Sequence, residues 1–137
     1  MRGKRIDHVG IVVDDLTSAR RFVTDVLGFD FDREVSIPGR LQAAFFRCGD
    51  AAVELIEVVD PQLRQERLGS ATARIEHVAI EVDELLATVD RMRQSGVSMA
   101  SDVPVVIGPT RSFFTRPDTS DGVMYQLFDR PDSRPVP

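Results

Sequence analysis

From Arg5 to Val13 the chain alternates between the two sides of an extended strand, reading Arg-Ile-Asp-His-Val-Gly-Ile-Val-Val. A period of two is the mark of a half-buried strand. Asp14 and Asp15 follow with helix-capping chemistry, and Leu16, Ala19, Phe22, Val23, Val26 and Leu27 recur at helical spacing up to a stop at Gly28. Phe29–Val35, Leu41–Cys48 and Ala51–Val59 then read as strands, broken by Pro38-Gly39, Gly49-Asp50 and Asp60-Pro61. The predicted order is strand, helix, strand, strand, strand.

A polar stretch from Gln62 to Ala73 reads as a linker, after which the order returns. Arg74–Val82 is a strand. Leu85, Leu86, Val89 and Met92 form a helix stripe that Ser95-Gly96 ends. A strand is expected at 97–100 or 103–107, and two more at Arg111–Arg116 and Gly122–Asp129. The tail from Arg130 to Pro137 is proline-rich. Domain organisation follows: module one about 1–61, linker about 62–73, module two about 74–129, tail 130–137. Phe45-Phe46 against Phe113-Phe114, and Gly49-Asp50 against Asp121-Gly122, read as smaller echoes of the same repeat.

The repeat is clearest at the start of each half. Ile6-Asp7-His8-Val9-Gly10-Ile11-Val12-Val13-Asp14-Asp15-Leu16 returns as Ile75-Glu76-His77-Val78-Ala79-Ile80-Glu81-Val82-Asp83-Glu84-Leu85, and it contains both histidines of the protein. One histidine on an apolar strand reads as an ordinary core residue. The same placement twice reads as two imidazoles aimed at one point, and imidazole is the commonest metal ligand. Strand alternation gives each a small neighbour on its own face, Gly10 or Ala79. The opposite faces, Val9-Ile11-Val13 and Val78-Ile80-Val82, are apolar and suit packing against helices.

The last strand of each half adds an oxygen ligand. Glu54 lies in the apolar run Val53-Glu54-Leu55-Ile56, where a carboxylate needs a proton, a partner or a cation. Gln126 holds the matching position in Val123-Met124-Tyr125-Gln126-Leu127. His8, Glu54, His77 and Gln126 form a mixed N/O set that suits Zn, Ni, Co, Fe or Mn. Glu57 and Glu81 are alternative carboxylates.

Composition narrows the classes. The 137 residues suit one domain, 42% hydrophobic and 28% charged. A net charge of −5 argues against nucleic acid or an anionic membrane as partner. No apolar run approaches a membrane span, and Met-Arg-Gly-Lys-Arg leads straight into the first strand without a signal-peptide stretch. A single cysteine, Cys48, excludes an internal disulfide, and a cytoplasmic location is expected. Cys48 itself reads as a half-buried strand-end residue.

These segments resemble the vicinal oxygen chelate superfamily, the glyoxalase and bleomycin-resistance fold. The carriers are Asp7-His8-Val9-Gly10-Ile11, Asp25-Val26-Leu27-Gly28-Phe29, Val53-Glu54-Leu55-Ile56-Glu57, Glu76-His77-Val78-Ala79, Gly96-Val97 and Gly122-Val123-Met124-Tyr125-Gln126-Leu127. The resemblance implies an α+β fold, two tandem βαβββ modules forming an open barrel-like cup around a divalent metal, and commonly a homodimer. It is nearest to methylmalonyl-CoA epimerases, with the ligand order His, Gln, His, Glu, and to glyoxalases, with His, Glu, His, Glu. This chain has His8, Glu54, His77 and Gln126, so it departs from both at the last position, where glutamine cannot titrate.

The resemblance implies enolate-type proton transfer by an epimerase or isomerase, with a CoA thioester or thiol adduct as substrate. With glutamine at the last position, the one carboxylate of the ligand set, Glu54, is the expected catalytic acid/base, since with a divalent ion the set stays at net +1 and offsets an enolate. Glu57 and Glu81 are candidate helpers. A glyoxalase-type lyase and a non-catalytic bleomycin-resistance-type binding protein are the alternatives; the two histidines speak against the second. Arg40, Arg47, Arg111 and Arg116 are candidate cations for an anionic substrate group.

Overall fold

The computed structural model describes residues 3–130, with side chains from Arg5 onward. Two βαβββ modules follow one another. The first is β1 (Gly3–Val13), α1 (Leu16–Arg21), β2 (Asp30–Ile37), β3 (Leu41–Cys48) and β4 (Ala51–Val58). After α2 (Pro61–Arg67) the second is β5 (Ala73–Val82), α3 (Leu85–Gln94), β6 (Val105–Ile107), β7 (Thr110–Phe114) and β8 (Met124–Asp129). The expected tail lies outside the described residues beyond Arg130.

The backbone divides into two compact bodies. One is His8–Glu76; the other joins the chain through Asp7 to the chain from His77 onward. In the first body the strand order is β2-β3-β4-β1, and β1 runs parallel to β4 with Gly10 opposite Glu54 and Val12 opposite Ile56. In the second the order is β5-β8-β7-β6, with β5 parallel to β8 and Ala79 opposite Gln126.

Each module packs its apolar sheet face under its helix. In the first body Val13, Leu16, Val23, Ala44, Phe46 and Leu55 are buried together. In the second the cluster is Val82, Leu85, Val89, Met99, Phe113 and Leu127. Asp15 caps α1, its carboxylate accepting from Ser18 N. The α1 stripe runs true only to Val23. A π-helical turn over Phe22–Val26, closed by Leu27 N donating to Phe22 O, follows α1 directly. The wider turn rotates Val26 and Leu27 off the core, while Phe22, at its start, already lies about 100° round the helix from buried Val23, and all three are exposed. Gly28 then takes the left-handed conformation (φ 74°) that ends the turn, as its position predicts.

The polar stretch after β4 contains α2. Asp60 caps it by accepting from Gln62 N and Leu63 N, and Pro61 sits at its first turn, where no N–H is needed. Leu63 and Leu68 pack on Val12, Ala43, Ile56 and Val58. α2 therefore covers the face of the first sheet opposite the one under α1. Among the alternatives for β6, the strand forms at 105–107, and Met99 makes only an isolated bridge to Thr115. Cys48 is exposed at the end of β3.

Register corrects one echo. Phe45 lies opposite Glu54, whereas the residue opposite Gln126 is Phe114. Phe45 thus corresponds to Phe114, not to Phe113, and a slip of one residue turns a side chain to the other face. Phe113 faces α3 and Phe45 does not.

The packing predicts a contrast within one body. Phe46→Ala, at a site with no exposure, should cost about 3–5 kcal/mol. Phe22→Ala, at 54% exposure, should change stability by no more than about 0.5 kcal/mol. Urea unfolding of the two variants measures both.

Candidate metal and proton-transfer site

In the first body the β1–β4 register brings His8, Gly10 and Glu54 onto one face. His8 Nε2 is 3.3 Å from Glu54 Oε1, with the imidazole buried and the carboxylate half-buried. Phe45 meets the His8 ring edge-on, with centroids 5.2 Å apart, and the Arg33 guanidinium lies 3.9 Å over the Phe45 ring. Gly10 stands opposite Glu54 in the register and adds no side chain there. Two ligands of one ion, each at about 2.1 Å and subtending 90–110°, stand about 3.0–3.4 Å apart. The His8–Glu54 separation fits that spacing.

The second body repeats the arrangement with changes. His77 is buried and meets Phe114 edge-on at 6.1 Å. Gln126 is half-buried beside Ala79, and its Nε2 donates to Ser112 Oγ at 3.0 Å. Ser112 is fully buried. With the amide nitrogen engaged there, the Gln126 carbonyl oxygen is the atom left for a ligand role. Ser112 had no signal in the chain: a serine in a strand is unremarkable until its neighbour's amide has to be oriented.

Both candidate helpers are engaged elsewhere. Glu57 Oε1 accepts from Leu16 N at 2.9 Å, on the helix side of the sheet, and so supports the start of α1. Glu81 is buried and accepts from Arg5 Nε at 3.1 Å and Arg130 Nη1 at 3.4 Å. Arg5 Nη2 also donates to Asp7 at 2.6 Å. This four-charge cluster is internally neutral and needs no metal.

Of the four candidate arginines, Arg111 is held bidentately by buried Asp129, at 3.0 and 2.7 Å, and the hydrogen bond raises its pKa above the usual arginine value. Arg116 is exposed with Asp118 at 3.9 Å. A different arginine is half-buried in the first body. Arg67, on α2, donates through Nε and Nη2 to both oxygens of Glu76, at 2.7 Å each. That hydrogen bond raises its pKa against the opposing effect of burial, and the charges of Glu76 and Glu54 add to the rise. Reading this stretch as a linker hid Arg67, although Asp60-Pro61 followed by Leu63 carries a helix-start signal.

The residues from 5 to 127 match the family described as Glyoxalase/Bleomycin resistance protein/Dioxygenase superfamily. The chain belongs to this superfamily. The mitochondrial methylmalonyl-CoA epimerase of Mus musculus is 27% identical over 131 residues, which span 90% of this chain and 71% of that protein. The crystal structure of methylmalonyl-CoA epimerase from Mycobacterium tuberculosis superposes with a TM-score of 0.84 at 25% identity, covering 98% of this chain and 90% of that one. A methylmalonyl-CoA epimerase solved with methylmalonyl-CoA and NH4+ superposes with a TM-score of 0.81 at 21% identity, over 98% and 100% of the two chains. The glyoxalase fold implied by the resemblance is thus the fold of the protein. Among the described residues no helix is long and apolar enough to cross a membrane.

The Glu81 cluster yields a prediction. Glu81→Gln leaves two arginines facing a neutral amide and should destabilise the fold by about 1–3 kcal/mol. Urea unfolding at pH 7 reads the loss.

Proposed function

We propose that this superfamily member is a metal-dependent proton-transfer enzyme of the epimerase or isomerase type, acting on the carbon beside a CoA-thioester carbonyl. The observation that carries the proposal is the His8–Glu54 pair at ligand-to-ligand spacing. The ligands assigned to one divalent ion in this proposal are those read from the sequence: His8 and Glu54 in the first body, with His77 and the Gln126 carbonyl oxygen in the second. The donor set of imidazole, carboxylate and amide suits Zn, Ni, Co, Fe or Mn. The epimerase relatives support the reaction type and the thioester. Bound there, such an ion supplies positive charge that offsets a developing enolate.

The chain's own residues do the rest. Glu54 is the carboxylate that takes the proton from the substrate carbon and returns it. The aromatic rings of Phe45 and Phe114 flank the two imidazoles and limit water beside them. Gln126 orients and cannot accept a proton. With one titrating carboxylate, proton return is easiest on the face from which the proton left. Exchange with solvent should therefore outpace inversion of configuration.

Purified protein should contain one divalent ion per chain. His8→Ala and His77→Ala should each fail to retain it through gel filtration at pH 7; full retention in either variant rejects the ligand assignment. In D2O the native protein should wash deuterium into a bound thioester's acidic position faster than it racemises it, as followed by NMR and circular dichroism. Gln126→Glu adds the missing second carboxylate and should raise inversion relative to exchange. Tight metal-free binding of a small ligand, with no exchange in any form, would favour a binding protein of the bleomycin-resistance kind.

A further inference from the structure

The oxygen donor of the second body is an amide, and an amide has two unlike ends. Gln126 on β8 stands opposite Phe114, and Ser112 lies two residues before Phe114 on β7. Strand alternation puts Ser112, Phe114 and Gln126 on one face. Gln126 Nε2 donates to Ser112 Oγ at 3.0 Å. Ser112 is fully buried and Gln126 is half-buried.

This bond uses Ser112 as an acceptor only. Its own hydroxyl proton has no acceptor among the described residues, so a buried donor is left unmatched. A hydroxyl carries one donor and two acceptor lone pairs, so it can serve the amide in either sense. Half a turn about the last side-chain torsion of Gln126 would bring Oε1 to Ser112 Oγ, and the serine would then donate. That torsion is broad and two-fold, so the turn meets no rotamer barrier of the staggered kind.

The far edge of the amide is where the difference tells. Gln126 Oε1 has no hydrogen-bond partner among the described residues. Every side-chain nitrogen or oxygen cut off from solvent there does have one, so Oε1 faces open space. In the present setting a carbonyl oxygen faces outward and a buried hydroxyl proton is unmatched. In the reversed setting the hydroxyl proton is matched and N–H groups face outward. Each setting makes one bond to Ser112, so the charge met at the outer edge decides between them.

We propose that Ser112 and Gln126 form a reversible pair, which presents a carbonyl oxygen to a cation and an amide N–H to an anionic oxygen, with Ser112 as the positioning residue. An ionised carboxylate at position 126 would serve the cation alone, because it only accepts. Catalytic use of the reversal rests on the proton-transfer reading: negative charge grows on the thioester oxygen as the neighbouring carbon loses its proton, and a directed N–H stabilises such an oxygen. The reversal itself needs no reaction, since no covalent bond changes and the serine proton only changes direction.

The test is NMR of the Gln126 side-chain amide in nitrogen-15-labelled, zinc-loaded protein, with the signal assigned by its loss in Gln126→Glu. The anionic probe is propane-2-nitronate, a small planar ion shaped like an enolate. On its addition the wild-type amide protons should move downfield as an N–H meets the anion. Ser112→Ala should weaken both zinc and nitronate by about threefold to tenfold, the range for one neutral hydrogen bond. Should that variant not fold, Ser112→Cys keeps the volume and a weak donor, and a smaller loss of both is expected. An amide signal unmoved by bound nitronate overturns the proposal. Wild-type affinities in a folded Ser112→Ala overturn it as well, as does a wild-type protein that takes up no zinc or no nitronate. An amide that responds to nitronate, in a protein that exchanges no deuterium into a thioester, would sustain this inference and reject the proton-transfer reading. Deuterium exchange with an unresponsive amide would do the reverse.

Discussion

The parallel pairing of the first and last strand in each module is the constraint on which the site depends. It places Gly10 against Glu54 and Ala79 against Gln126, so that a residue with little or no side chain stands beside each oxygen donor. A parallel pair needs a long crossover, and the intervening helix and hairpin provide it. The helix buries the opposite face of each sheet, which is why Val13 and Val82 are core residues while His8 and His77, an odd number of positions away, lie on the other face. Shift either pairing by one residue and the donor would be driven under the helix.

Most of this was legible in the chain because alternation and repetition are local signals. The β1 and β5 repeats, the turn at Gly28 and the faces carrying His8, Glu54, His77 and Gln126 all follow from periods of two and from small residues in fixed places. What was not legible depended on partners distant in sequence. The aromatic echo was off by one because register is a property of two strands, and Phe45 has Phe114 as its counterpart only once Glu54 and Gln126 are aligned. The α1 stripe failed at Val26 and Leu27 because a π turn changes the angle per residue in a way no apolar pattern announces. Arg67 was passed over because the stretch around it is polar, and polarity alone does not separate a linker from a short helix whose few leucines lie on a sheet.

The buried polar groups sort by what already satisfies them. Glu57 supports a helix start, Asp129 holds Arg111, and Glu81 is shared between two arginines. Each is therefore occupied with folding rather than chemistry. Gln126 is intermediate: its nitrogen is committed to Ser112, and its oxygen is not held by that bond. The two modules, alike in backbone, thus differ in what their exposed oxygen can do. A carboxylate stands in one and an amide in the other, and the amide's orientation is set by a hydroxyl behind it.

The internal repeat invites the idea that the chain could be cut at the stretch after β4 into two half-proteins, each recovering an ancestral module. The division of the backbone between Asp7 and His8, and between Glu76 and His77, forbids a clean cut. An amino-terminal fragment would keep Arg5 and Asp7 but lose Glu81 and Arg130, with which they form the buried charge cluster. The carboxy-terminal fragment would keep Glu81 without Arg5. Each piece would thus inherit part of an electrostatic lock whose other part left with its sibling. Neither half can therefore be expressed alone with that charge cluster whole.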